Sequence, residues 1–360
     1  MQQSTQASQR LSIGIDLGDR DSQICVLDPQ TGEVAEEAKL RSSRKAFQQR
    51  FESMKPATIA IESGGHTPWV SRLLEQAGHE VVVANPRRTR LIYQNNSKSD
   101  RVDAEMLARL VTADRKLLYP VQPRSADTQA ARAIVKARDA AVTTRTKLVN
   151  SIRGMVKSMG ERLPSCDAAC FHRKIRSHIP EALEPAVSPL FEVLVVLERQ
   201  IRLFDKAIEH ACRKTFSETE RLRQITGVGP ITALWYVLTL EDPTRFKNSR
   251  NVGSFVGLRP ARRSSGQSDP ELRITKAGDR MLRRYLVQSA QYILGRHGPD
   301  CDLQRWGLKL AGRGGKKAKR RAIVAVARKL SVLLHRLWIS GEPYEPLRNS
   351  EAEVSTSKTN

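Results

Sequence analysis

Four carboxylates stand where chain elements begin and end. Asp16 closes the apolar run LSIGID, Glu62 closes ATIAIE, and Asp100 and Asp103 open KSDRVDAEMLARL, a stretch with helical spacing. Asp100 and Asp103, one helical turn apart, share a face and repel by about 0.2–0.5 kcal/mol. An ordinary N-terminal turn accounts for them, since acids there cap the backbone and complement the helix dipole. A cation held between them accounts for them as well. Any one such acid is more often a cap or a surface charge than a ligand; the set of four in one unit points to a site. Carboxylates gathered without a counter-charge drive one another toward protonation. Hard oxygen ligands suit Mg2+ or Mn2+, and two such ions about 4 Å apart clamp the attacking and leaving oxygens of a phosphoryl transfer.

The elements carrying these acids read as an α/β layer. Strands are expected over Leu11–Leu17, Gln23–Leu27, Glu33–Leu40, Ala57–Ile61 and Glu80–Ala84, and helices over Ser43–Met54, Thr67–Ala77 and Asp100–Thr112. A meander of three strands continued by β-α units sets strands one and four side by side. Asp16 and Glu62 then become neighbours facing the start of the last helix. Past Tyr119–Pro123 the strand alternation stops, and Ser125–Met159 reads as one long basic helix. Val187, Leu190, Leu194, Leu197, Ile201, Phe204, Ile208 and Ala211 recur at alternating spacings of three and four. This is a heptad seam, paired either within the chain or between chains; Pro189 is expected in the first turn of its helix. ITGVGPITA, from Ile225, is a Gly-x-Gly turn before a helix, either a phosphate seat or a tight helix–helix turn. The run RGGKKAKRR from Arg313 is expected to adjoin an apolar helix over Ala322–Trp338.

Charge narrows the partner. The chain of 360 residues has 61 Lys and Arg against 38 Asp and Glu, a formal net charge of +23. An excess spread this widely implies a polyanion, with nucleic acid first among candidates. The residues expected to meet it are Arg262, Arg263, Lys276, Arg283, Arg284, Arg313, Lys316 and Lys317, with Arg132, Lys136, Arg145 and Lys147 on the long helix. No apolar run reaches the roughly 20 residues of a membrane span, and the first residues have no secretory pattern. Five scattered cysteines fit a reducing cytoplasm. Cys166, Cys170 and His172 have partial zinc spacing without a second ligand pair; a loop with two free thiols is the simpler reading.

Together, IGID from Ile13, AIES from Ala60 and SDRVDA from Ser99 resemble the DEDD motif of a RuvC-like domain with the RNase H fold. More narrowly, the chain resembles the DEDD transposases of bacterial insertion sequences whose recombination is guided by a bridge RNA. TGVG from Thr226, FVGLRP from Phe255, SSG from Ser264 and ITKAG from Ile274 follow in that family's order. The likeness covers roughly residues 10–345. It implies an α/β RNase H-like catalytic domain over 10–115 and a long-helix coiled-coil segment over 124–222 for RNA binding and oligomerisation. An all-α domain over 223–345 and a disordered tail over 346–360 would follow. It implies two Mg2+ or Mn2+ ions on Asp16, Glu62, Asp100 and Asp103, and a bridge RNA as guide. Donor and target double-stranded DNA would be the substrates, the assembly a homo-oligomer, dimer or tetramer, and the setting the bacterial cytoplasm at the nucleoid, without a membrane.

The resemblance also implies a catalytic serine just before a glycine, at Ser265, attacking a DNA phosphodiester to leave a phosphoserine linkage. By residue chemistry alone Ser264 and Ser265 are turn residues in a basic loop. By the same likeness the site is composite, with acids of one subunit meeting the serine of another. Three other readings stay open on the residues. An actin-like ATPase would share GIDLG from Gly14 but needs a second glycine-rich phosphate loop. A metal-dependent junction nuclease would use the four acids without Ser265. A non-catalytic RNA-binding protein would not need Asp16.

Overall fold

The protein is described here by a computed structural model, in which residues 10–28, 30–89, 99–263 and 272–348 are placed. It divides into two compact units, Met1–Ala126 and Asp127–Asn360.

The first unit is a five-stranded sheet with helices on both faces. Its strands are β1 (Ser12–Asp16), β2 (Asp21–Leu27), β3 (Val34–Arg41), β4 (Thr58–Glu62) and β5 (Glu80–Ala84). Their order is β3-β2-β1-β4-β5, with β1–β3 an antiparallel meander and β4 and β5 parallel to β1. The expected neighbours, strands one and four, do pair. Side chains alternate between faces along each strand. Ile13, Ile15, Ile59, Ile61 and Val83 turn to one face, packing with Phe47 and Phe51 of α1 (Arg44–Phe51) and Val70 and Leu74 of α2 (Thr67–Gln76). Ala60, Val82 and Ala84 turn to the other, where Leu107, Leu110 and Val111 of α4 (Asp100–Ala113) cover them. Between these lies a short α3 (Pro86–Thr89).

The second unit is helical. A long α5 (Ala126–Ser158) leads through the short α6 (Phe171–Lys174) to α7 (Glu184–Lys214). Then come α8 (Glu218–Leu222), α9 (Pro230–Leu240), α10 (Arg250–Phe255), α11 (Arg280–Ile293), α12 (Asp302–Ala311) and α13 (Gly315–Ser340). α9 reads PITALWYVLTL, with Thr232 through Leu240 all buried; a helix apolar on every side belongs in a core. Around it gather Val135, Ile208, Leu286, Val326 and Leu330, so residues on both sides of the expected 222/223 boundary share one core.

The heptad seam packs within this chain. Val187, Leu194, Ile201 and Ile208 are buried, and Val187 and Leu194 cluster with Val149 and Ile152 of α5. Arg138–Asp205 (2.5 Å) and Arg145–Glu198 (2.6 Å) also join α5 and α7. Three expectations need correction. Pro189 lies inside α7, past the first turn, because the helix starts earlier, at Glu184 with Pro185 in its first turn. The basic run from Lys316 to Arg321 does not precede a helix but forms the opening turns of α13. The tail, expected disordered from residue 346, is tied through 348: the Asp302 amide donates to the Pro346 carbonyl (2.8 Å), and Arg348 pairs with Glu342 (3.1 Å).

Candidate active site and nucleic-acid interface

Asp16 and Glu62 end adjacent parallel strands, and both are half-buried. Asp16 has the parity of Gly14, and Glu62 that of Ala60. Both therefore turn to the face covered by α4. α4 lies so close to β1 that a Cβ on Gly14 would meet the Ala104 carbonyl oxygen at 2.0 Å. Only glycine allows this approach.

The direction of α4 follows from two arginines. Arg101 pairs with Glu37 (2.7 Å), and Arg109, eight residues on, donates to the carbonyl of Gly32 (3.3 Å). The helix thus runs antiparallel to β3 and hence to β1. One turn back from Ala104, about 6 Å, reaches the level of Asp16, two strand residues beyond Gly14. Asp100 stands four residues before Ala104 and Asp103 four before Leu107, so both lie on the sheet-facing stripe. All four acids thus reach one edge of the sheet on one side.

Ser99 occupies the cap position of α4 and makes no side-chain cap; Asp100 is the first helical residue, within the helix rather than capping it. Asp100 is exposed and Asp103 half-buried. Among the described residues, no three His, Cys, Asp or Glu side chains converge closely enough to enclose a metal ion. What the fold provides is four hard oxygen donors on one face, the donor type a hard divalent cation takes. Cys166 and Cys170 are free thiols in a loop, and Cys170 donates to its neighbour, the Asp167 carbonyl (3.3 Å).

In the helical unit, residues 257–261 and 273–276 pair as a two-stranded ribbon. The Ala261 amide donates to Arg273, the Thr275 amide to Arg259 (both 2.9 Å) and the Lys276 amide to Gly257 (3.1 Å). The turn at Gly257 (φ +73°) lies so close to the returning strand that a Cβ would meet the Ala277 carbonyl at 2.1 Å. Ser264 and Ser265 themselves lie outside the described residues.

This ribbon forms one wall of a groove of about 2540 Å3, whose other walls are α10, α12 and α13. Fifteen of its thirty-nine lining residues are Lys or Arg and two are Asp or Glu, against 61 to 38 in the whole chain. The positive charge is therefore concentrated here, where low-dielectric walls focus the field on a polyanion. Of the residues expected to bind nucleic acid, Arg262, Lys276, Arg313 and Lys317 line the groove. Arg263 and Lys316 are exposed, as are Lys136 and Lys147 on α5. Arg284 is exposed and paired with Asp139, while Arg283 donates to the carbonyls of Val256 and Ala277, steadying the end of the ribbon.

Arg132 and Arg145 are corrections. Arg132, 8% exposed, pairs with Asp279 (2.9 Å), donates to the Leu238 carbonyl (3.1 Å) and lies over the Trp235 ring at 4.0 Å. Burial raises the Asp279 carboxyl, but bonds from Trp235 Nε1, the Leu282 amide and Arg132 outweigh it and hold the group below its ordinary value. Arg145 is spent on Glu198, both side chains largely buried. On a long helix, composition alone does not separate an arginine that faces the core from one that faces solvent.

Several groove residues were not among those expected to bind nucleic acid: Arg320 and Arg321 belong to the basic run from Arg313, while Arg259, Arg273, Arg305, Arg328 and Arg336 were not singled out. A signal existed: Lys317, Arg321, Val324, Arg328, Val332 and Arg336 fall three or four apart on one face of α13. The Gly-x-Gly turn serves packing, with Gly227 set against Ile293 and Ser289 of α11. No helix among the described residues is long and apolar enough to cross a membrane.

Residues 13–160 match the transposase family DEDD_Tnp_IS110, and residues 219–304 match the transposase IS116/IS110/IS902 family. The chain is 31% identical over 324 residues to the transposase y4pF/y4sB of Sinorhizobium fredii, covering 88% of this chain and 80% of that protein. It is 30% identical to the transposase for insertion sequence element IS1328 of Yersinia enterocolitica, over 79% of this chain and 84% of that one. Against the transposase for IS1111A of Coxiella burnetii, identity is 28% over 92% and 90%.

Proposed function

The chain belongs to the IS116/IS110/IS902 family of insertion-sequence transposases, and from that premise we propose that it joins donor and target DNA under the guidance of a bridge RNA, with Ser265 as nucleophile. The observation that carries this reading is the sheet edge, where strand parity and the antiparallel α4 bring Asp16, Glu62, Asp100 and Asp103 to one side. The strand order supports an RNase H-like, RuvC-like domain. Mg2+ or Mn2+ held by these acids would supply Lewis-acid charge to neutralise a pentacovalent phosphorus. A bound cation would offset the mutual repulsion of the gathered carboxylates.

The serine step is a transesterification. Ser265 Oγ gives up its proton and bonds to phosphorus, a deoxyribose oxygen leaves with the bonding pair and takes a proton, and the strand stays on the protein as a phosphoserine. A second deoxyribose hydroxyl then attacks that phosphorus and restores the serine. Arg262, close to Ser265 in sequence, and Lys276 would stabilise developing negative charge. The basic groove and the exposed Lys136 and Lys147 are the surfaces offered to DNA and guide RNA. Homo-oligomer formation is supported by a second stripe on α7, where Val193, Val196 and Leu203 are 45%, 57% and 49% exposed at heptad-compatible spacing.

The test uses the full chain with its co-purified RNA, donor and target duplexes, and Mg2+. A protein–DNA adduct stable to denaturant should form and disappear in Ser265→Ala. Joining by Ser265→Ala without any adduct would overturn the serine step and leave a metal-dependent nuclease-type reaction.

A further inference from the structure

The groove of the helical unit is lined by both cations and apolar side chains, and the two call for different parts of a ligand. Leu308, 49% exposed, and half-buried Leu310, Val332 and Leu333 are apolar residues of its lining. Trp306 stands among them, with the Lys329 ammonium 3.8 Å from its ring centroid. Arg320, Arg328 and Arg313 line the same groove. A duplex keeps its bases stacked inside and would offer these apolar side chains only sugars and phosphates, leaving them unmatched. An unpaired strand presents both phosphates and base faces, matching the cations and the apolar side chains together.

We infer that this groove binds an unpaired polynucleotide strand, with phosphates on its arginines and a base stacked on Trp306 in place of the Lys329 ammonium. The inference rests on the nucleic-acid reading above and adds the form of the ligand and the residue that reads it. Lys329, released from the ring, becomes a further phosphate contact. Stacking on one ring is tolerant of base identity, so the site grips a strand without choosing its sequence. An unpaired segment of RNA and a displaced DNA strand share this chemistry.

The experiment measures binding of the full chain to three labelled probes at one salt concentration: oligothymidylate and oligouridylate of about 12 nucleotides, a length typical of such grooves, and duplex DNA. Trp306→Ala should weaken both single strands by about tenfold, the loss of one base–aromatic stack, and leave duplex binding unchanged. Trp306→Tyr should restore most of it. Preference of one single strand over the other, with the same Trp306 dependence, assigns the strand as RNA or DNA. Photo-crosslinking of thiouridine- or iodouracil-containing strands to the unaltered chain should mark peptides of α12 or α13, whatever the variants' folding. The inference is overturned if Trp306→Ala weakens duplex and single strands alike, if it weakens none, or if the crosslinks map elsewhere. If the unaltered chain binds none of the three probes, the nucleic-acid reading fails with it; if duplex is bound and joined while Trp306 is without effect, this inference alone fails.

Discussion

The sheet unit and the helical unit gather charge in opposite ways. In the first, four carboxylates are set by the backbone, at the ends of two paired strands and the first turn of one helix that runs against them. In the second, cations from α10, the ribbon, α12 and α13 line one groove, brought together only by tertiary packing. Paired strand ends fix the backbone positions of Asp16 and Glu62 through the hydrogen bonds of the sheet. A surface that grips a polyanion needs density of charge more than exact placement, and helix faces supply that.

Variants should separate the two units, the largest effect coming first from a buried cation. Arg132→Ala strands Asp279 without its partner and should cost about 3–5 kcal/mol, seen as a lower midpoint in calorimetry. Lys136→Ala, four residues on but exposed, should leave the midpoint unchanged and weaken nucleic-acid binding. Equal midpoints for the two variants would remove the distinction drawn between core and surface cations on α5. In the sheet unit, Gly14→Ala forces α4 away from β1 and should cost about 3 kcal/mol. It should also lower strand joining by more than the loss of folded protein accounts for, because Asp100 and Asp103 move with the helix.

In the groove, Arg320→Ala with Arg328→Ala should weaken binding uniformly across sequences. The slope of log affinity against log salt should shallow by about two, roughly one per lost phosphate contact. An unchanged slope would place the polyanion elsewhere. The smallest effect is on acid stability. Asp279 titrates below its ordinary value when folded. Its stabilising contribution is therefore present above the unfolded carboxyl value of about 3.9 and lost as pH falls through the folded value. Below about pH 4 the unaltered chain should lose stability more steeply than Asp279→Asn.

Much of the sheet unit was legible because strands and their turns obey local rules. The period-two run at Ile13–Asp16, the apolar run at Thr58–Ile61 and the paired acids of α4 each carry their own signal, and the strand order follows from the meander. The close seat of α4 on Gly14 was not legible, since a glycine in a strand announces a close approach without naming what approaches. In the helical unit, the long helices were legible from periodicity, but the start of α7 was not, because Pro185 and Pro189 both suit an early turn and only packing places the first. The fate of each cation was hidden for the same reason: Arg132 and Lys136 sit one turn apart on α5, and one faces Trp235 while the other faces solvent. Ser265 owed its assignment to family likeness, since a serine beside a glycine in a basic loop has no local mark of a nucleophile.

The central claim is that the acid edge of the sheet performs chemistry while the groove binds. Asp16→Asn tests it most directly, removing one charge at a half-buried strand end with almost no change of shape. The full chain with its RNA, donor and target duplexes, and Mg2+ should then bind DNA with unchanged affinity and melt at an unchanged temperature, yet join no strands. Joining at the rate of the unaltered chain would contradict the claim.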